Sequence, residues 1–132
     1  MRRNKICEIP YQRLEKFLTT LGPINLLFVC SMNQWRSPTG EAIYRNVDGV
    51  SVRSGGTSKS AKRRVSHKDI NWADMILFME QKHKSRLMSE YRQDLKYKTI
   101  HVLDIPDDYR FMDEDLIEII QGKVDKLVFS AK

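Results

Sequence analysis

The chain has 132 residues, enough for one hydrophobic core and too few for two ordinary domains. Two cysteines exclude a disulfide framework, and three scattered histidines lack the spacing of a structural zinc site. A formal charge of +6 favours anionic partners or simply a soluble surface, and the longest apolar run, Leu26 to Cys30, is too short to span a bilayer.

No apolar segment of signal-peptide length follows the basic start Met1-Arg2-Arg3-Asn4-Lys5, so a cytoplasmic protein is expected. Residues 1–23 read as a helical extension of the main domain, 24–132. Pro10 suits a helix start. Tyr11, Leu14, Phe17, Leu18 and Leu21 fall on one helical face, and Gly22-Pro23 ends it. Ile24 to Val29 reads as a central parallel strand buried on both faces. Pro38 suits the first turn of a helix whose inward residues include Ala42 and Ile43, with Val47 beyond. Val50, Val52 and Ser54 alternate as a second strand, ended by Gly55-Gly56. Ser66 caps a helix with Asp69 in its first turn. Asp74 to Met79 is a third strand. Glu80 to about Tyr91 is a polar helix turning Leu87 and Met88 inward. Thr99 to Leu103 is a fourth strand, followed by a turn at Ile105-Pro106-Asp107-Asp108. Asp113 then caps a helix carrying Leu116, Ile117, Ile119 and Ile120. Strands alternating with helices predict an α/β fold with a three-layer, four-stranded, parallel, doubly wound sheet. Such sheets bind ligands beyond the carboxyl ends of their strands, where Cys30 and the Asp107-Asp108 turn both fall.

The segment from Cys30 to Pro38 carries the chemistry. Five residues, Ser31, Met32, Asn33, Gln34 and Trp35, separate a strand-end cysteine from Arg36, and Ser37-Pro38 opens a helix. Backbone N–H groups at a helix start favour an anion and lower a thiol pKa. The planar fork of Arg36 can grip two phosphate oxygens, and Ser37 can donate a hydrogen bond to a thiolate. Asn33 tolerates the left-handed backbone of a tight anion-binding loop. A cysteine alone would more often be a buried core residue. The preceding strand and the following Arg-Ser-Pro favour a thiolate and a guanidinium around one dianion. The loop lacks the Gly-Lys-Ser/Thr of a nucleotide P-loop.

Val29-Cys30 through Arg36-Ser37-Pro38, followed by Glu41-Ala42, resembles the signature of the low-molecular-weight protein tyrosine phosphatases, most closely a short bacterial subgroup. Val52-Arg53-Ser54-Gly55-Gly56-Thr57 and Ala73-Asp74-Met75-Ile76-Leu77-Phe78-Met79 extend the resemblance, which covers most of residues 24–120. It implies a flavodoxin-like fold and a phosphomonoester substrate, nominally phosphotyrosine in a protein. Cys30 would be the nucleophile. Arg36 and the backbone of Ser31, Met32, Asn33, Gln34 and Trp35 would hold the phosphate. Ser37 would stabilise the thiolate, and Asn33 would brace the loop. Asp107 takes the place of the family's general acid, with Asp108 the open alternative. No cofactor or metal is implied.

Three departures shape the expectations. The segment between Thr57 and Ser66 is shorter than in typical members and carries Lys59, Lys62, Arg63 and Arg64. This cluster, residues 59–64, is a candidate contact for a second phosphate, a nucleotide or a nucleic-acid backbone, against the plainer reading of a solvated basic loop. Trp35 replaces a loop cysteine common in the family. With Tyr109 it is a candidate substrate wall, the alternative being packing on the neighbouring helix. The N-terminal extension, with Cys7, is unusual. The leading expectation is a cysteine-dependent phosphatase. The rivals are a non-catalytic phosphate or nucleic-acid binding module on the same fold and, more weakly, an arsenate reductase, which needs more cysteines.

Overall fold

The structure, a computed structural model, describes residues 23–129. The expected extension, with its apolar stripe and Cys7, lies outside the described residues. In chain order the elements are β1 (Ile24–Cys30), α1 (Arg36–Tyr44), β2 (Val50–Gly56), α2 (His67–Trp72), β3 (Met75–Phe78), α3 (Gln81–Glu90), α4 (Arg92–Leu95), β4 (Thr99–Val102) and α5 (Glu114–Val128). The four strands form one parallel sheet in the order β2-β1-β3-β4. This is the flavodoxin-like order. The chain winds outward from β1 to β2, then crosses back over β1 to β3, which leaves a switch point between β1 and β3.

β1 is central, and Leu26, Leu27, Phe28 and Val29 are completely buried. Their alternation sends side chains to opposite faces. Leu26 and Phe28 join Ile43 and Tyr44 of α1 and Leu116, Ile120, Val124 and Val128 of α5. Leu27 and Val29 join Ile70 of α2, Leu87 of α3 and Leu95 of α4. Helices therefore cover both faces, giving the expected three layers. The Phe28 and Tyr44 rings stack at 5.9 Å between centroids. The Tyr44 hydroxyl donates to Asp125 Oδ1 at 2.7 Å, tying α1 to α5.

Several expectations change in detail. β2 does not end before its glycines but runs through Gly56, with Gly55 opposite Val29 and Gly56 opposite Cys30. A Cβ on Gly55 would meet Val65 Cγ2 at 2.6 Å, and one on Gly56 would meet the Ser31 carbonyl oxygen at 2.4 Å. The glycines are there because other backbone crosses the strand closely, not because the strand stops. β3 is two residues shorter than expected, and the short helix α4 was not anticipated. In α5 the fully inward stripe is Leu116, Ile120, Val124 and Val128, spaced by four, while Ile117 and Ile119 lie at its margins. As expected, Asp113 caps this helix, its carboxylate accepting the Asp115 N–H at 2.8 Å. Asp69 likewise accepts the Ser66 N–H at 3.0 Å. Among the described residues no helix is long and apolar enough to cross a membrane.

Candidate active site

The carboxyl ends of β1, β3 and β4 converge on one loop. Val29 is level with Phe78, and Phe78 with Val102, so the residues that follow these strands share one edge of the sheet. Cys30 ends β1 and is 3% exposed. The loop 31–35 then turns into the N-terminus of α1. Asn33 makes that turn with φ 55°, the left-handed conformation its residue type tolerates.

Asn33 also braces the loop. Its Nδ2 donates to Ser37 Oγ and to Ser54 Oγ, each at 2.9 Å. With its oxygen accepting from Asn33, Ser37 is free to direct its own hydrogen at Cys30 Sγ, 3.0 Å away. A hydroxyl at that distance is placed to donate to the sulfur. Ser54 passes its hydrogen on to Glu41 Oε1 at 2.5 Å. Donors thus run from Asn33 through Ser37 to the sulfur, and from Asn33 through Ser54 of β2 to Glu41.

Arg36 is 2% exposed at the start of α1. Its Nη1 donates to the Glu80 carboxylate and, at 2.8 Å, to the Ile105 carbonyl. The guanidinium is fixed by residues that follow β3 and β4. Its Nε has no hydrogen-bond partner among the described residues, and Asp107 Oδ1 lies 3.6 Å away. A buried N–H left without a hydrogen-bond partner is suited to an oxyanion. Burial tends to raise the Glu80 pKa, but its contact with Arg36 prevails and lowers it. The Glu80 backbone N–H donates to His83 Nδ1 at 3.0 Å, and His83 Nε2 lies 2.9 Å from Ser31 Oγ. Burial first, then the field of Arg36, lowers the His83 pKa to about 4.

The residues singled out in the sequence separate into groups. Cys30, Ser31, Met32, Asn33, Gln34, Trp35, Arg36 and Ser37 form one turn. Asp107 and Asp108 are both exposed, and of the two it is Asp107 that pairs with Arg36. Trp35 is half-buried, with the Arg110 guanidinium 5.6 Å above its ring. Tyr109 is half-buried against the core on the α1 and α5 side. Thr39 Oγ1 accepts the Met112 N–H at 2.9 Å, anchoring the segment after Asp107 to α1. The segment after β2 lies alongside the loop that follows Cys30. The N–H groups of Thr57, Ser58 and Lys62 donate to the carbonyls of Cys30, Ser31 and Met32. Of its basic residues, Arg63 pairs with Asp69 at 2.5 Å and Arg64 with Glu90 at 2.8 Å, while Lys59 and Lys62 are exposed. Among the described residues no group of His, Cys, Asp or Glu is placed to hold a metal ion.

Sequence reasoning missed Glu80 and His83, and it did not assign Ser54 or Glu41 a place in the site. The available signal was the position of Glu80 directly beyond the carboxyl end of the third strand.

No protein-family model matches the chain, and no curated protein matches it. Solved structures do. The YwlE arginine phosphatase from Geobacillus stearothermophilus superposes with a TM-score of 0.64 at 21% identity, over 80% of this chain and 93% of that one. The fold is shared with phosphatases. SP-PTP, a low molecular weight protein tyrosine phosphatase from Streptococcus pyogenes, gives 0.64 at 18% identity, over 79% and 93% of the two chains. The tyrosine phosphatase Wzb from Escherichia coli K30, in complex with phosphate, gives 0.63 at 18% identity, over 79% and 95%. At these identities the likeness is one of fold, and the chemistry must come from the residues.

Proposed function

We propose that the protein is a cysteine-dependent phosphomonoester hydrolase of the low-molecular-weight tyrosine phosphatase type. One observation carries the reading. The Ser37 hydroxyl lies 3.0 Å from the Cys30 sulfur, and the residue before it, Arg36, is buried with its Nε left without a hydrogen-bond partner. The phosphatase folds support it. So does the YwlE arginine phosphatase mutant with a phosphorylated active-site serine, which matches at a TM-score of 0.60 and 18% identity, over 83% of this chain and all of that one.

In this reading the Cys30 thiolate attacks phosphorus. The bond to the leaving oxygen breaks as Asp107 protonates that oxygen. Arg36 and the loop N–H groups hold the equatorial oxygens as charge builds. The Asp107 carboxylate then takes a proton from water, whose oxygen attacks the phosphocysteine and releases phosphate and thiolate. Asp107 is preferred to Asp108 because it lies near the open edge of Arg36. Trp35 and Tyr109 would line the substrate's approach in a cytoplasmic enzyme.

Hydrolysis of p-nitrophenyl phosphate by the wild type and by Cys30→Ser tests the proposal. The substitution is expected to reduce turnover by at least ~10³-fold, and equal turnover would sink the reading. The neighbours include both tyrosine and arginine phosphatases, so a substrate panel should hold phosphotyrosine and phosphoarginine peptides. A nucleic-acid contact through residues 59–64 is weakened because Arg63 and Arg64 are already engaged by carboxylates.

A further inference from the structure

His83 stands in the first turn of α3 and is 1% exposed. Its two ring nitrogens are differentiated by their partners. Nδ1 accepts the Glu80 backbone N–H at 3.0 Å and therefore carries no proton. In a neutral imidazole the proton must then sit on Nε2. That nitrogen lies 2.9 Å from Ser31 Oγ, so it donates to the hydroxyl oxygen. The Ser31 hydrogen is consequently directed elsewhere. Among the described residues His83 is the hydrogen-bond partner of Ser31 Oγ, and no protein acceptor takes the serine's own hydrogen.

Ser31 directly follows the cysteine, and its carbonyl is pinned by the Ser58 N–H at 3.0 Å. The residue is thus held at both its backbone and its side chain. A half-buried hydroxyl with a satisfied oxygen and an unused hydrogen is a ready donor to an anion bound in the same loop. A backbone N–H sets the tautomer of the histidine, and the tautomer sets the direction of the serine.

We propose that Ser31 donates a hydrogen bond to the phosphoryl oxyanion, and that His83 is the positioning residue that commits it to this role. The turnover consequences rest on the phosphatase reading above. The anion-binding consequences do not.

The experiment combines calorimetric titration of inorganic phosphate with p-nitrophenyl phosphate kinetics on the full chain. Ser31→Ala is expected to weaken phosphate binding about tenfold or more, the loss typical of a hydrogen bond to a charged group. KM should rise more than kcat falls, because the bond forms in the bound ground state. His83→Ala should weaken binding similarly in the wild-type background and by less than about twofold on top of Ser31→Ala. His83→Gln, whose amide can donate from the same place as Nε2, should recover much of the loss. The proposal is overturned if Ser31→Ala binds phosphate as tightly as the wild type, or if His83→Ala exacts its full cost in the Ser31→Ala background. Should the His83 variants fail to fold, the phosphate affinity of Ser31→Ala decides alone. A wild type that binds phosphate through Ser31 but hydrolyses nothing would end the phosphatase reading and leave this one standing. A wild type that hydrolyses substrate with an indifferent Ser31 does the reverse. No phosphate binding by the wild type overturns both.

Discussion

Asp107 and Asp108 are adjacent in sequence and identical in chemistry, yet they occupy different electrostatic positions. Both are exposed, but Asp107 lies 3.6 Å from the open Nε of Arg36 and Asp108 lacks that contact. If Asp107 delivers the proton, Asp107→Ala should lower kcat by roughly 10²–10⁴-fold, and Asp108→Ala by no more than about threefold. The loss for Asp107→Ala should be larger with phenyl phosphate than with p-nitrophenyl phosphate, since the poorer leaving group depends more on protonation. The opposite ranking of the two variants would reassign the acid. At this scale the gathering of Cys30, Asn33, Arg36 and Ser37 was legible because it is local, a strand end turning into a helix within eight positions. Glu80 and His83 were not legible as partners. They reach Arg36 and Ser31 across separations of 44 and 52 residues, which only the sheet order closes.

The glycine pair of β2 shows the same division among elements. Alternating Val50, Val52 and Ser54 identifies the strand, but a glycine pair is also the usual mark of a strand's end. Here Gly56 stays in register opposite Cys30, and the Ser31 carbonyl and the Ala61 side chain occupy the space a Cβ would need. The atom at risk is backbone of the loop that follows Cys30, so a clash cannot be relieved by a rotamer change. Gly56→Ala should destabilise the protein by about 1–3 kcal/mol. It should also weaken phosphate binding, since the loop must shift. Urea denaturation and phosphate titration of the same variant check both, and an unchanged midpoint would mean the loop yields without cost. Element types were readable because helix and strand periods differ. Element ends were not, because close approach and termination draw on the same residues.

For the molecule as a whole, the buried histidine links acidity to stability. The folded protein holds the His83 pKa at about 4, below its ordinary value of 6.5, by burial and by the positive charges of Arg36 and Lys82, opposed by Glu80 and Asp107. The unfolded chain therefore takes up the proton first. The stabilisation is complete above about pH 6.5 and is lost progressively as the pH falls to about 4, with a ceiling of roughly 3 kcal/mol. Urea unfolding at pH 7 and at pH 4.5 should show this loss in the wild type and a smaller one in His83→Gln. An equal loss in both proteins would place the acid sensitivity elsewhere. The overall architecture was legible because β1 reads as a strand buried on both faces and each later strand is separated by a helix. One consequence of that architecture concerns time. Arg36 is anchored by groups that lie 44 and 69 residues further along the chain. During synthesis the thiol and the guanidinium are made first, and the residues that aim the guanidinium are made later. A nascent chain ending before Ile105 therefore carries the cysteine together with an arginine that has only part of its anchorage, and the second anchor arrives only after the last strand.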